Sequence, residues 1–222
     1  DGWWNPTTWR MGELPAGTVH MPVPVALDHF PARPRAVRPP RFLHAAGKWA
    51  MYDRNGTEAF IRACYLGRDF DATGTCIHEL PPEVRPAGNW ANIEIGSHPN
   101  YWDAYTGYDV LVLPRKYGGL CLTAQEAMAA GMAVVMPNVS PNSECWPIIG
   151  IPGRLTGRVP MPAGWMPLCQ VDPGAVANVM GALRDDRTML DRARDASLAW
   201  ADAHSWEQWT DRYLARLAEF GI

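Results

Sequence analysis

Cysteine is scarce in this chain and never paired. The five residues, Cys64, Cys76, Cys121, Cys145 and Cys169, include no C-x-x-C pair, so neither a zinc site nor a disulfide framework is expected and a reducing, cytoplasmic setting fits. No apolar stretch reaches the roughly eighteen residues that a membrane-spanning helix needs, and Asp1, Gly2, Trp3 and Trp4 do not open a signal peptide. An excess of one charge is also missing. With 20 basic and 23 acidic side chains the net charge is -3, which leaves no broad electrostatic footprint for nucleic acid, so an anionic ligand would have to be held by local charges. There is no G-x-G-x-x-G fingerprint and no compelling Ser-His-Asp or Cys-His order, so a nicotinamide or flavin cofactor and a nucleophilic triad are not expected. The first residue is not methionine, and the Trp-rich, Pro-rich start suggests a processed chain or a piece of a longer one.

What is present is a chain of 222 residues, 47% hydrophobic, enough for one substantial core or for one domain plus part of another. A strand-like run covers 18 to 25, after which prolines at 31, 34, 39 and 40 mark 26 to 40 as a linker with a domain boundary near residue 40. Short apolar runs then alternate with helical ones. Strands are expected at 41–46, 74–79, 91–95, 109–113 and 132–136, and helices at 55–66, 99–107 and 122–130. That alternation predicts an α/β, Rossmann-like parallel sheet with helices on both faces. Prolines and glycines suggest that loops dominate 137 to 166, followed by a strand at 167–171. Asp172-Pro173 then reads as N-cap and first helical residue, and two or three helices finish the chain.

Ligands of such sheets bind beyond the carboxyl ends of the strands. One loop there runs from Gly47 to Gly56 and carries Lys48 and Arg54 just before a helix. Two fixed cations with helix-start amides suit a diphosphate, although solvated loop residues would look the same in sequence. Another loop, Arg115-Lys116-Tyr117-Gly118-Gly119-Leu120, leads into the helix that bears Glu126. Thr123 and Glu126 have capping-box spacing; alternatively, Glu126 accepts hydrogen bonds from a pair of ribose hydroxyls. Gly96 and Ser97 follow a further strand end and could line a base pocket with Tyr101 and Trp102, or simply begin a helix. His44 lies in an apolar strand and reads as a packed core histidine. Asp53 and Glu144 could serve as an acid/base pair only if the fold brings them together.

These loops, in this order, resemble the carboxyl-terminal, donor-binding domain of GT-B retaining glycosyltransferases of the family 4 type (group 1). The resemblance covers about residues 18 to 220. Residues 20 to 30 are similar to the family's interdomain passage. Gly47, Lys48, Arg54, Asn55 and Gly56 resemble its Gly-Arg...Lys-Gly diphosphate segment with Lys and Arg exchanged. Residues 105 to 114 resemble its Tyr-x-x-Ala-Asp-Val-x-Val-x-Pro strand. Residues 118 to 131 resemble its E-x7-E segment, with Gly118 where the first glutamate falls and Glu126 at the second.

The resemblance implies a retaining, metal-independent sugar transfer from a nucleotide-diphosphate sugar to an unknown acceptor. Lys48 and Arg54 would stabilise the leaving diphosphate. Gly47, Asn55, Gly96, Ser97, Gly118, Gly119, Leu120, Cys121 and Thr123 would line the donor site, Glu126 would hold the ribose, and no metal or cofactor is implied. Residues 1 to 40 would be the end of a preceding domain and a linker, 41 to 200 the nucleotide-sugar domain, and 201 to 222 a helix packing back. The rest of the acceptor-binding domain would lie elsewhere on a longer chain. A non-catalytic nucleotide or partner-binding module and a GT-B nucleotide-sugar epimerase are the alternatives.

Overall fold

The computed structural model describes residues 4–8, 10–30, 38–47, 53–67, 69–80, 84, 91–161, 164–219 and 221. Near the start, β1 (Trp4–Asn5) and β2 (Val19–His20) pair in parallel. The main sheet holds β3 (Arg41–Gly47), β4 (Asp71–Cys76), β5 (Asn92–Ile95), β6 (Val110–Val112), β7 (Ala133–Pro137) and β8 (Ile149–Ile151). All of its pairings are parallel, in the order β5-β4-β3-β6-β7-β8. A separate antiparallel hairpin joins β9 (Gly153–Met161) to β10 (Gly164–Val171). The helices are α1 (Thr57–Gly67), α2 (Leu122–Ala129), α3 (Asn142–Cys145), α4 (Pro173–Asp185), α5 (Arg187–Ala203) and α6 (Trp206–Ala218).

The central strands are apolar on both sides because both sides are covered. Phe42, Val110, Val112, Ala133 and Val135 face a cluster with Phe60 of α1 and Met180 of α4. Their neighbours Leu43, Leu111, Val134 and Met136 face a second cluster with Met128 of α2 and Trp146. Successive side chains of a strand point to opposite faces, so a continuous apolar run is what a doubly covered parallel strand requires. Asp172 caps α4 as its Asp-Pro start predicts, its carboxylate accepting from the amides of Gly174 at 2.5 Å and Ala175 at 3.4 Å.

At the amino end of β6, Asp109 is 5% exposed and ties three elements together. Its carboxylate meets Arg38 at 2.8 Å and Arg194 of α5 at 3.5 Å, and accepts from the Arg41 amide of β3 at 2.9 Å. The segment after β2 packs on the end of the chain. Val25 bridges to Ser205, the Trp206 amide donates to the Val25 carbonyl at 3.1 Å, and the Tyr213 hydroxyl donates to the Pro22 carbonyl at 2.5 Å.

Three expectations are corrected. The span 137 to 166 is not mostly loop: it contains α3, β8, all of β9 and the start of β10. The expected helix at 99–107 is a 3-10 turn, Tyr101–Tyr105, and the strand at 18–25 shrinks to Val19–His20 plus the Val25 bridge. Of the expected linker, 31 to 37 lie outside the described residues, while Leu27–His29 form a 3-10 turn.

From β3 the sheet grows through β4 to β5 on one side and through β6 to β7 and β8 on the other. The order reverses between β3 and β6. In open α/β sheets such a reversal marks the crevice, beyond the strand ends, where ligands bind.

Candidate functional site

Both loops singled out in the sequence meet at that reversal point. Asp53, 8% exposed, adopts a left-handed φ of 51°. One carboxylate oxygen accepts from the Thr57 amide at 2.7 Å, and the other accepts from the Glu58 amide at 3.3 Å and pairs with the Lys116 ammonium at 3.0 Å. Asp53 therefore caps α1 and at the same time holds the β6–α2 loop. It is not paired with Glu144, which lies on α3 facing another cavity. The Lys116 amide donates to the Arg54 carbonyl at 2.8 Å, a second tie between the loops. At Gly56, φ is +75° and an added Cβ would stand 2.0 Å from the Pro114 carbonyl oxygen, so the two loops touch backbone to backbone.

An Asp53→Ala variant loses the cap and the Lys116 partner, and should lose about 1–2 kcal/mol of stability in urea titration. Asp53→Asn keeps an acceptor for α1 and should lose less. Equal losses would show that the ion pair, not the cap, dominates.

The remaining members of the first loop have distinct places. Gly47 ends β3 with φ +64°. The Asn55 side-chain amide donates to the carbonyls of Ala45 at 2.9 Å and Ala46 at 3.2 Å, so Asn55 fixes the strand end. Arg54 is exposed, and no described acceptor pairs with its guanidinium. Lys48 lies outside the described residues. Gly96 and Ser97 are exposed at the carboxyl end of β5, the edge strand, with β4 and β3 between them and the crevice.

The second loop is organised around a residue whose role sequence reasoning missed. Arg115 is only 4% exposed, yet no carboxylate among the described residues pairs with it. Its guanidinium donates to the carbonyls of Gly119 at 3.0 Å and Leu120 at 3.4 Å, while its buried Nε has no partner. Burial lowers its pKa from the ordinary value, and the nearby Arg54 charge acts in the same direction. An orphaned buried donor costs about 1–3 kcal/mol, so this arrangement is not optimised for stability alone. Gly118 has φ +136°, and a Cβ there would stand 2.1 Å from the Arg115 Nη2. The space into which a side chain at 118 would grow is filled by the guanidinium.

The Gly118, Gly119, Leu120 and Cys121 amides donate to no backbone carbonyl of the described residues. Cys121 is the N-cap of α2, without a side-chain cap bond, so Thr123 is already inside the helix and the capping-box reading fails. Glu126 instead accepts a hydrogen bond from the Tyr105 hydroxyl, and Thr123 bonds the same phenol. Burial raises the Glu126 pKa, opposed by the Tyr105 bond. Its carboxyl borders a cavity of about 170 Å³ shared with Phe30, Tyr101, Leu122 and Trp206.

A larger cavity of about 270 Å³ lies on the other side of Gln125, between His20, Glu144, Trp146, Trp200 and His204. His44 is a fully buried core residue. Its Nδ1 donates to the Val112 carbonyl at 2.8 Å, so its Nε2 accepts from the Thr57 hydroxyl at 2.9 Å, and its ring stacks on Phe60. Among the described residues no group of three His, Cys, Asp or Glu side chains could hold a metal ion, and no helix is long and apolar enough to cross a membrane.

No protein-family model matches the sequence. The chain is 32% identical over 122 residues to the lipopolysaccharide core biosynthesis mannosyltransferase LpsB of Rhizobium meliloti (strain 1021), a match covering 54% of this chain and 32% of that protein. The matched part thus spans about a third of the curated relative's length. Among solved structures, a glycosyltransferase from Rickettsia africae ESF-5 superposes with a TM-score of 0.65 at 13% identity, covering 91% of this chain and 57% of that one. The carboxyl-terminal domain of a group 1 family glycosyltransferase from Francisella tularensis gives 0.56 at 19% identity, covering 81% of this chain and 97% of that domain. In fold, the chain resembles the carboxyl-terminal domain of that group 1 family glycosyltransferase, a Rossmann-like parallel α/β sheet.

Proposed function

We propose that this chain is the donor-binding part of a retaining, metal-independent glycosyltransferase that takes a nucleotide-diphosphate sugar. The observation that supports it best is the pairing of the two loops at the reversal point. There the loop that carries Arg54, whose charge acts on Arg115, is tied to the loop whose amides precede α2. A diphosphate leaving group gains negative charge as the sugar departs, and fixed cations and amides stabilise that charge without a metal. At an effective dielectric of 20, a cation about 4 Å from a phosphate oxygen interacts by roughly 4 kcal/mol before desolvation is counted.

In this reading Glu126 accepts from the ribose through the oxygen not bonded to Tyr105, and Lys48 joins Arg54 as the second cation. Residues 1 to 40 belong to the end of a preceding domain and its linker, and 201 to 222 pack back toward that domain, as the Val25–Ser205 bridge suggests. The acceptor is bound elsewhere on a longer chain.

Calorimetry with UDP, GDP and ADP tests the assignment. Arg54→Ala should weaken the best of the three at least tenfold, about 1.4 kcal/mol. Unchanged affinity in that variant would remove the diphosphate from this crevice. The Gly118 position also keeps a second reading in play, a module that binds nucleotide without turning it over. Release of free nucleotide from a donor sugar by a longer chain would exclude it.

A further inference from the structure

We infer that Arg115 is the positioning residue of the anion-binding loop, acting through the backbone rather than by touching the ligand. A planar trans peptide directs its carbonyl and its N–H to opposite sides. By drawing the Gly119 and Leu120 carbonyls toward its buried guanidinium, Arg115 turns the N–H groups of Leu120 and Cys121 away from itself. Those two amides have no backbone acceptor among the described residues, and they stand at the N-terminus of α2, where an anion is favoured. Gly118 belongs to the same device. Any side chain at 118 would displace the guanidinium, and its φ of +136° is one that only glycine adopts without strain.

Several features separate this from a plain salt-bridge or loop brace. The cation is 4% exposed, has no carboxylate partner among the described residues, and leaves Nε without a partner. A lysine would keep the charge but could not span two carbonyls with the same planar fork. The fixed amides, not the guanidinium, would meet the phosphates.

The inference rests on the reading of this crevice as a diphosphate site, and the two can fail separately. The probe is inorganic pyrophosphate, titrated into the 15N-labelled chain while amide resonances are followed, with UDP, GDP and ADP in parallel. In the wild type, pyrophosphate should shift the Leu120 and Cys121 amides. In Arg115→Ala and Arg115→Lys alike, affinity should fall at least tenfold and those two amides should stop responding, while resonances of α5 and β7 stay in place. Arg54→Ala should weaken binding yet leave the two amides responsive.

Wild-type affinity in Arg115→Lys would mean that charge alone matters and would overturn the clamp. Tight nucleotide binding with no response at Leu120 or Cys121 would overturn it while leaving the proposed function intact. A pyrophosphate response at those amides with no binding of UDP, GDP or ADP would leave the clamp and remove the proposed function. No binding of either kind by the wild type would remove both. If Arg115→Ala fails to fold, the lysine variant carries the comparison.

Discussion

An Asp109→Ala variant should lose about 3–5 kcal/mol of stability in urea unfolding, the range expected when one partner of a buried ion pair is removed. The loss has three sources, one of them the half-exposed Arg38, which pairs with the carboxylate at 2.8 Å. Arg194, with 6% of its side chain exposed, would keep its charge without the carboxylate that faces it at 3.5 Å. The Arg41 amide, which donates to the same carboxylate at 2.9 Å, would lose its acceptor. Asp109→Asn separates the two, because an amide oxygen still accepts from Arg41 while the charge is gone. The asparagine should therefore fall between wild type and alanine. A double-mutant cycle with Arg194→Ala would measure the pairwise part directly, and a coupling near zero would place the effect on the β3 amide and Arg38.

The second large effect is a pH dependence that belongs to His44. Burial pushes its imidazole from 6.5 down to about 4. Above pH 6.5 the residue is neutral in both folded and unfolded chains and contributes no pH dependence. As pH falls from 6.5 toward 4, the unfolded chain binds a proton that the folded chain refuses, so stability decreases by about 1.4 kcal/mol per pH unit and by roughly 3 kcal/mol in all. Below 4 both states are protonated and the loss levels off. His44→Gln removes the titration. The stability difference between wild type and variant, measured by denaturant unfolding from pH 7.5 to 4, should be flat above 6.5 and should move against the wild type below it. His20, whose pKa is also lowered by burial, is common to both chains and cancels. A constant difference across that range would show that His44 does not titrate as its burial demands.

Much of the sheet was legible because its strands are buried on both faces. Apolar runs such as 110–112 and 133–136 have no solvent side on which polar residues could break the pattern. The β9–β10 hairpin was not legible for the opposite reason. It stands outside the main sheet, exposes Leu155 and Trp165, and contains Pro160 and Pro167, which a two-stranded ribbon tolerates because each strand has a free edge. A register shift between Leu168 and Cys169 blurs its alternation further.

At the site, sequence pointed to both loops and to Glu126, since glycine turns and cations before helices are local signals. It could not show that Asp53 would bind Lys116, a partner 63 positions away, nor that Arg115 would fold back on carbonyls of its own loop. The first contact exists only once β3 and β6 lie side by side, and the second depends on how the loop buries Arg115. The Thr123–Glu126 spacing misled because the helix begins at Leu122, which places both residues inside it.

The exposed hairpin has a thermodynamic consequence of its own. Its Cys169 amide donates to the Lys116 carbonyl at 2.6 Å, in the loop that carries Arg115 and Gly118. That loop and the hairpin are therefore joined by a backbone hydrogen bond. If an anion binds the loop as proposed and displaces it, that amide is perturbed, and by linkage anything that grips the ribbon changes the anion's affinity by the same factor. In exchange with deuterium, the Cys169 N–H would then report that binding from outside the loop.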